Sequence, residues 1–384
     1  MTKRMVAVLC AAATAIGAGA VAPAGAATTP RWTVVPTAAN VQYGDLVAVS
    51  CPAPNACVAV GTQDAAGKNL KLIQRWNGKK WTAQSSPTPP GATSSHLSAV
   101  RCRNASNCIA VGQYSTATET KTLALQWSNN AWTLMRTPNP VAAVSGLSGL
   151  ACTSPTSCIA VGGYFVSSGN SSSHLSLAEH WNGTEWTIVP TPNVPNAFDS
   201  TLTGVACAAP TDCFAVGYSH TTNVTVPLIQ RWDGAAWSIV ASPNPPSSAD
   251  SELAGVACAA TTRCTAVGSS DHGTLLQRWN GTAWSIKKSP NPTGSTGASL
   301  TGVSCPSTAR CFAAGVAFRK KAVQNRLVER FTPTGNVVVG VPVPSDAKRS
   351  SLGAISCASE TNCFAVGNYY RGPSRRPLLI RFGS

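Results

Sequence analysis

The chain has 384 residues, of which 43% are hydrophobic and 11% charged, with a formal net charge of +15. That apolar fraction excludes an intrinsically disordered chain. The 32 glycines and 27 prolines, with abundant Ser, Thr and Asn, mark a turn-rich β chain and leave little room for long helices.

Residues 1–26 read as a secretory signal peptide. Lys3 and Arg4 form a charged start, Met5 to Val21 is apolar, and Ala24-Gly-Ala26 is an A-x-A cleavage site. The apolar part is too short and small-sided for a membrane span, and no other stretch qualifies. Cys10 lies in this segment; lipidation there needs a small residue just before it, where Leu9 stands. The expected localisation is therefore secreted, extracellular, with no transmembrane segment. Removal of the segment leaves 27 basic and 14 acidic residues.

The mature chain opens on a short strand, Arg31-Trp-Thr-Val-Val-Pro36, and then repeats one unit seven times. Each unit carries a C-x5-C pair: Cys51/Cys57, Cys102/Cys108, Cys152/Cys158, Cys207/Cys213, Cys258/Cys264, Cys305/Cys311 and Cys357/Cys363. Fourteen cysteines in an exported chain are expected to form disulfides, each pair closing its own short turn. Zinc is the weaker alternative, because its sites favour C-x2–4-C spacing and four converging ligands.

Four short segments follow one another in each unit. The first ends at a cysteine (Leu202-Thr-Gly-Val-Ala-Cys207), and the second leaves the next one (Cys213-Phe-Ala-Val-Gly217). The third ends at a tryptophan (Leu228-Ile-Gln-Arg-Trp232), and the fourth begins at another and ends in proline (Trp284-Ser-Ile-Lys-Lys-Ser-Pro290). Runs of four to seven residues rich in Val, Ile, Thr and aromatics, bounded by Gly, Asn or Pro, are strand signals. Trp76-Asn-Gly and Trp232-Asp-Gly mark tight hairpins between the third and fourth strands. The two tryptophans of a unit then meet across that hairpin and are expected to pack between units.

Four antiparallel strands repeated seven times predict an all-β, seven-bladed β-propeller with one disulfide per blade. The last copy stops after its third strand, Leu378-Leu-Ile-Arg-Phe382, and the opening strand supplies the missing fourth, closing the ring. The blades are expected at 45–89, 97–140, 147–193, 201–245, 252–292 and 299–344, with 31–36 joining 351–384 as the seventh. Residues 27–384 then form one domain, expected to be monomeric.

The pattern L-x-x-V-x-C-x5-C-x-A-V-G, then R-W-N-G-x-x-W-[TS], then P-N-P, resembles an uncharacterised secreted repeat family of actinobacteria and other soil bacteria. The resemblance covers the mature chain and implies export and a propeller-like fold; it carries no site residues. Asp233-Gly-Ala-Ala-Trp237-Ser is loosely similar to the Asp-box of sialidase-type propellers, but Phe318-Arg-Lys-Lys321 lacks the Ile and Pro of their F/Y-R-I-P motif. Glycine and tryptophan patterning is also shared with kelch-type propellers. Their copper site needs a cysteine-linked tyrosine, and every mature cysteine here is expected to be paired.

In a repeat protein the residues found in every unit are scaffold, and those in one or two units are functional candidates. Connections between units and between second and third strands share one face, whose unequal loops, such as Gly163 to Ser173 and Ala317 to Gln324, suit binding. Tyr114, Tyr164, Tyr218 and Tyr369, with Tyr370, follow the second strands there and are candidates to stack on sugar rings; the alternative is that they cap strand ends. Asp64, Glu119, Asp199, Asp250, Glu252 and Asp271 lie near the same loops, and glycoside chemistry needs two carboxylates at a defined separation. His96, His174, His220 and His272 are scattered without metal-site spacing. No phosphate-binding glycine loop or nucleophile elbow occurs, no cofactor is expected, and no catalytic residue is assigned.

Charge points further. From Arg310 to Arg381 there are twelve Lys/Arg against Glu329, Asp346 and Glu360. Arg319, Lys320, Lys321, Lys348, Arg349, Arg371, Arg375 and Arg376 are expected in loops, where they would attract polyanions. Outside the cell these are cell-wall polymers, acidic polysaccharides, anionic lipid head groups or released nucleic acid. The expected function is noncatalytic binding of an extracellular anionic polymer or carbohydrate. A polysaccharide-acting glycosidase or lyase on the loop face is one alternative; a structural or adhesion scaffold with protein partners is the other.

Overall fold

The computed structural model describes residues 29–65, 68–168, 171–320 and 323–383. The signal-peptide expectation, Cys10 and Lys321 lie outside the described residues. Those described form β-strands, turns and connections, with no α-helix.

Strand β1 (Arg31–Val34) is followed by units of four antiparallel strands. The first is β2 (Gly44–Ala53), β3 (Ala56–Ala65), β4 (Lys68–Trp76) and β5 (Trp81–Ala83). The second is β6 (Ser94–Asn104), β7 (Asn107–Ser115), β8 (Thr120–Ser128) and β9 (Ala131–Met135). The third is β10 (Val144–Ser154), β11 (Ser157–Ser168), β12 (Ser171–Trp181) and β13 (Trp186–Val189). The fourth is β14 (Asp199–Ala209), β15 (Asp212–His220), β16 (Thr225–Trp232) and β17 (Trp237–Val240). The fifth is β18 (Ser251–Ala260), β19 (Arg263–Ser270), β20 (Gly273–Trp279) and β21 (Trp284–Lys287). The sixth is β22 (Gly297–Ser304), β23 (Cys311–Arg319), β24 (Val323–Phe331) and β25 (Asn336–Val338). The last is β26 (Arg349–Ser359), β27 (Asn362–Arg371) and β28 (Ser374–Gly383), and β1 lies antiparallel on β28 with Trp32 opposite Phe382.

The first strand of each unit touches the first strand of the next, from β2 through β6, β10, β14, β18 and β22 to β26, and β26 touches β2. These strands approach backbone to backbone: a Cβ on Gly204 would stand 3.0 Å from the Ala254 carbonyl and 3.3 Å from the Cα of Gly255. That explains the Ser, Ala and Gly at their centres. The glycine of the Ala-Val-Gly motif has a different cause. At Gly217 a Cβ would collide with the Thr201 carbonyl of the first strand, and the same collision recurs at Gly61, Gly112, Gly162, Gly268, Gly315 and Gly367. A β-bulge two residues along each first strand accompanies this approach. The result is a β-propeller-like all-β fold.

All seven disulfides close locally, with Cα atoms 3.9–4.1 Å apart. The pairing is as expected, and its setting is buried. The second cysteines Cys57, Cys108, Cys158, Cys213, Cys264 and Cys363 are at most 2% exposed. Each starts the second strand, flanked by the first and third, and faces the closing aromatic of the third. Cys57 is opposite Trp76, Cys108 opposite Trp127, Cys158 opposite Trp181 and Cys363 opposite Phe382. These sulfurs therefore join the apolar clusters between units.

The tryptophans pack between units as expected. Trp279 and Trp284 of the fifth unit hold Phe214 of the fourth at 5.0 and 5.2 Å, and Trp76 and Trp81 of the first hold Phe364 of the last at 5.3 and 5.2 Å.

The loops are shorter than the sequence suggests. Strands β11 and β12 remain paired out to Ser168↔Ser171, so most of 163–173 is hairpin, and β23 runs to Arg319. Arg349, Arg371, Arg375 and Arg376 likewise lie at strand ends, in β26, β27 and β28, rather than in loops. Extending the ladder pairs backbone groups that a loop would leave to water.

Candidate functional site

The antiparallel order puts the disulfide turns and Trp hairpins on one face and the connections between units on the other. The buried cysteines Cys57, Cys108, Cys158 and Cys363 present no sulfur to a ligand and are scaffold, not site residues. At the loop face of the last unit, Tyr370 is the register partner of Arg349 on one side and Arg375 on the other. The Arg349 guanidinium lies 4.4 Å above the Tyr370 ring. Arg375 reaches into the first unit, with Nη1 at 3.1 Å from Asp45 and Nη2 at 3.7 Å from Asp64. Asp45 also accepts the Thr62 hydroxyl. Arg375 therefore ties the last unit to the first, and its charge is largely answered.

The neighbouring cations differ. Arg371 pairs with the exposed Asp346 at 3.0 Å. The Arg376 guanidinium lies 6.0 Å from the exposed Tyr43 ring. Arg319, Lys320, Lys348 and Arg349 are exposed and have no carboxylate partner among the described residues. The result is a loop-face surface with Tyr43 and Tyr370 among arginines and lysines.

The five tyrosines named from sequence belong to four different units, Tyr369 and Tyr370 sharing the last. Tyr114, Tyr164 and Tyr369 are half-buried against the apolar seams of their units. Tyr218 lines a cavity of about 410 Å³ between the fourth and fifth units with His220, Asp250, Glu252 and Asp271. Burial, and after it the nearby Asp199, raises the Tyr218 pKa. Three of the six acids named from sequence thus share one cavity. Asp271, however, accepts the backbone N–H groups of Ala249 and Asp250 at 2.8 and 3.1 Å, which hold its carboxyl below the usual range and commit it to the turn. Glu252 accepts the Ser269 hydroxyl at 3.2 Å. Asp64 is spent on Arg375, and Glu119 on Lys121 at 2.6 Å. Asp199 accepts the Thr201 hydroxyl and stands 3.8 Å from His174.

The histidines stay apart, and among the described residues no three His, Cys, Asp or Glu side chains gather as a metal set. His96 is held below its usual pKa by burial, against the opposing charge of Asp45. His174 and His220 pack, tilted, against Phe165 and Phe198 at 5.0 and 4.7 Å.

Asp45 and Tyr43 went unnoticed in the sequence. A signal existed: three residues before the leucine of each first strand stand Tyr43, Ser94, Val144, Asp199, Asp250, Gly297 and Arg349. Tyr43 is the aromatic and Arg349 the cation among them, and they sit in units that share a seam.

Among known protein families and curated sequences the chain finds no match. Solved structures do resemble it. A Trypanosoma rangeli sialidase in complex with 2,3-difluorosialic acid, a covalent intermediate, aligns over 91% of this chain and 56% of its own, with TM-score 0.51 and 9% identity. A protein of unknown function from Dyadobacter fermentans DSM 18053 aligns over 92% of this chain and 97% of its own, with TM-score 0.49 and 9% identity. At such identity the sialidase likeness speaks for the fold alone. Seven disulfides are consistent with an extracellular protein, and among the described residues no helix is long and apolar enough to cross a membrane.

Proposed function

We propose that this chain is an exported, seven-bladed, closed β-propeller that binds an anionic glycan without catalysis, using the loop face where its last and first units meet. The observation that carries this reading is the arginine and tyrosine surface of Arg349, Tyr370, Arg371, Arg376 and Tyr43, flanked by Arg319, Lys320 and Lys348. Guanidinium groups hold carboxylates and sulfates in forked geometry, and aromatic rings stack on sugar faces. The contact of β26 with β2 and the pairing of β1 with β28 support closure. The neighbouring fold type accommodates an acidic sugar analogue in the Trypanosoma rangeli sialidase.

The catalytic alternative is less well supported, because the cavity that gathers acids has Asp271 locked in its turn. Adhesion through an apolar patch is also less well supported. The exposed Leu134, Ile188, Ile239 and Ile286 occur once per unit, each on an outermost strand, and so are dispersed around the rim.

The test is binding of residues 27–384 to immobilised acidic and neutral glycans, titrated with salt. Acidic glycans should bind, weakening as salt rises, and Arg349→Gln/Arg371→Gln/Arg376→Gln should reduce affinity at least tenfold. Arg375 is left intact because it holds Asp45. Unchanged affinity in the triple variant, or equal binding to neutral glycans, would refute the assignment.

A further inference from the structure

The seam between the fifth and sixth units departs from the others. Where Phe214 and Phe364 fill other seams, the fifth unit has Thr265, and the tryptophan pair of the sixth unit is replaced by Phe331 and Asn336. A cavity of about 330 Å³ opens there on the disulfide face. Arg263, Arg278, Lys287 and Arg310 line it, with Ser285 and Thr265, and none of its lining residues is acidic.

The charge pattern departs at the same place. In the fourth unit, Asp212 accepts Arg231 Nε at 2.9 Å, and Arg231 lies 5.8 Å from the Trp279 ring of the next unit. The equivalent positions in the fifth unit are Arg263 and Arg278. An ion pair has become two like charges, and Arg278 has also lost the indole of the following unit. Arg278 is half-buried, and burial, then repulsion from Arg263, pulls its pKa below the usual arginine range. Arg310 has a partner in Glu360 at 3.2 Å. The side chains of Arg263, Arg278 and Lys287 make no ion pair among the described residues.

Two guanidiniums and an ammonium beside a polar cavity without a carboxylate form an electrostatically incomplete set. A tetrahedral oxyanion has the charge and acceptor oxygens to complete it. We propose that the groove between the fifth and sixth units binds a phosphate or sulfate group through Arg263, Arg278 and Lys287. The group is a free ion or an ester on a sugar chain; the chemistry of recognition is the same. This site lies on the face opposite the glycan surface and does not depend on it.

The experiment measures thermal unfolding of residues 27–384 in inorganic phosphate, inorganic sulfate and chloride at matched ionic strength. Phosphate or sulfate should raise the melting temperature saturably beyond chloride. Arg263→Asp rebuilds the ion pair of the fourth unit, so it should melt no lower than wild type in chloride and lose the saturable shift. Arg278→Gln should weaken the apparent affinity at least tenfold, and it serves alone if Arg263→Asp misfolds. An arm with dextran sulfate, competed by inorganic sulfate and abolished by Arg263→Asp, would identify an ester on a chain as an accepted form. The loop-face triple variant should retain the shift. A shift no larger than in chloride, or one that survives both Arg263→Asp and Arg278→Gln, overturns the proposal.

Discussion

Two residues before the closing aromatic of the third strand, the units carry Gln74, Leu125, Glu179, Gln230, Gln277, Glu329 and Ile380. The glutamines are fully buried and bridge seams: Gln230 donates to the Pro192 carbonyl at 2.8 Å and Gln277 to that of Pro243 at 2.9 Å. Glu179 is equally buried, and among the described residues neither carboxyl oxygen has a hydrogen-bond partner. Burial pushes its pKa from 4.5 up to about 8; the nearby Thr122 hydroxyl, which donates to Thr137 at 2.9 Å, opposes the shift only in part. Between those two values the folded chain keeps a proton that the unfolded chain has lost. Stability therefore falls as pH rises, by about 1.4 kcal/mol per pH unit, or about 5 kcal/mol in all by pH 8. Glu179→Gln removes this slope and installs the residue that three other units already accommodate. Its melting temperature should exceed that of the wild type by little near pH 4.5 and by roughly 7 °C at pH 8, for a chain of this length. Thermal unfolding of both proteins across pH 4.5–8.5 at constant ionic strength measures this difference. A gap that is the same at pH 5 and pH 8 would refute the reasoning.

Glu329, whose pKa burial raises to about 7 and whose Oε2 accepts the Ser289 hydroxyl at 2.7 Å, should show the same pH trend with a smaller amplitude in Glu329→Gln. Replacing Cys207 and Cys213 together by serine should cost about 2 kcal/mol, read from a denaturant titration, because the closed loop is short. Trp284→Ala removes a ring packed against Phe214 and Trp279 and should cost about 3–5 kcal/mol in the same assay. Arg375→Ala leaves Asp45 and Asp64 without their shared cation, and it should lower the melting temperature more than Arg371→Ala, whose partner is exposed.

The repeat was legible because its scaffold is local. Cysteines six apart close a turn, Asn-Gly turns a hairpin, and a tryptophan at each end of that hairpin must meet across it. Even the glycine of Ala-Val-Gly was readable as a recurring constraint, though its cause, collision with a first-strand carbonyl, needed the paired strands. The burial of Cys57, Cys108, Cys158 and Cys363 likewise needed the third strand and the neighbouring unit, which cover their sulfurs. The charged residues that act between units were not legible. Asp45 and Arg375 are 330 positions apart, and only the arrangement of the last unit beside the first brings them to 3.1 Å. The cations of 310–381 look uniform in sequence, yet among the described residues Arg375 and Arg310 are answered by carboxylates while Arg319 and Lys320 are exposed without one.

The alignment of units alone exposes Arg263 standing where Asp212 stands, and Asn336 standing where a tryptophan belongs. That Arg263 and Phe331, the strand partner of Asn336, line one cavity is a tertiary fact, since they lie on different units. The same holds for Glu179 and Glu329, which pass for solvated acids until packing removes their water. Sequence by itself determined the unit, its disulfides and its turns, because those depend on neighbours within about ten residues. Tertiary structure decided which charges are paired, which are buried and which face a groove, because electrostatics and desolvation depend on distance in space and not along the chain.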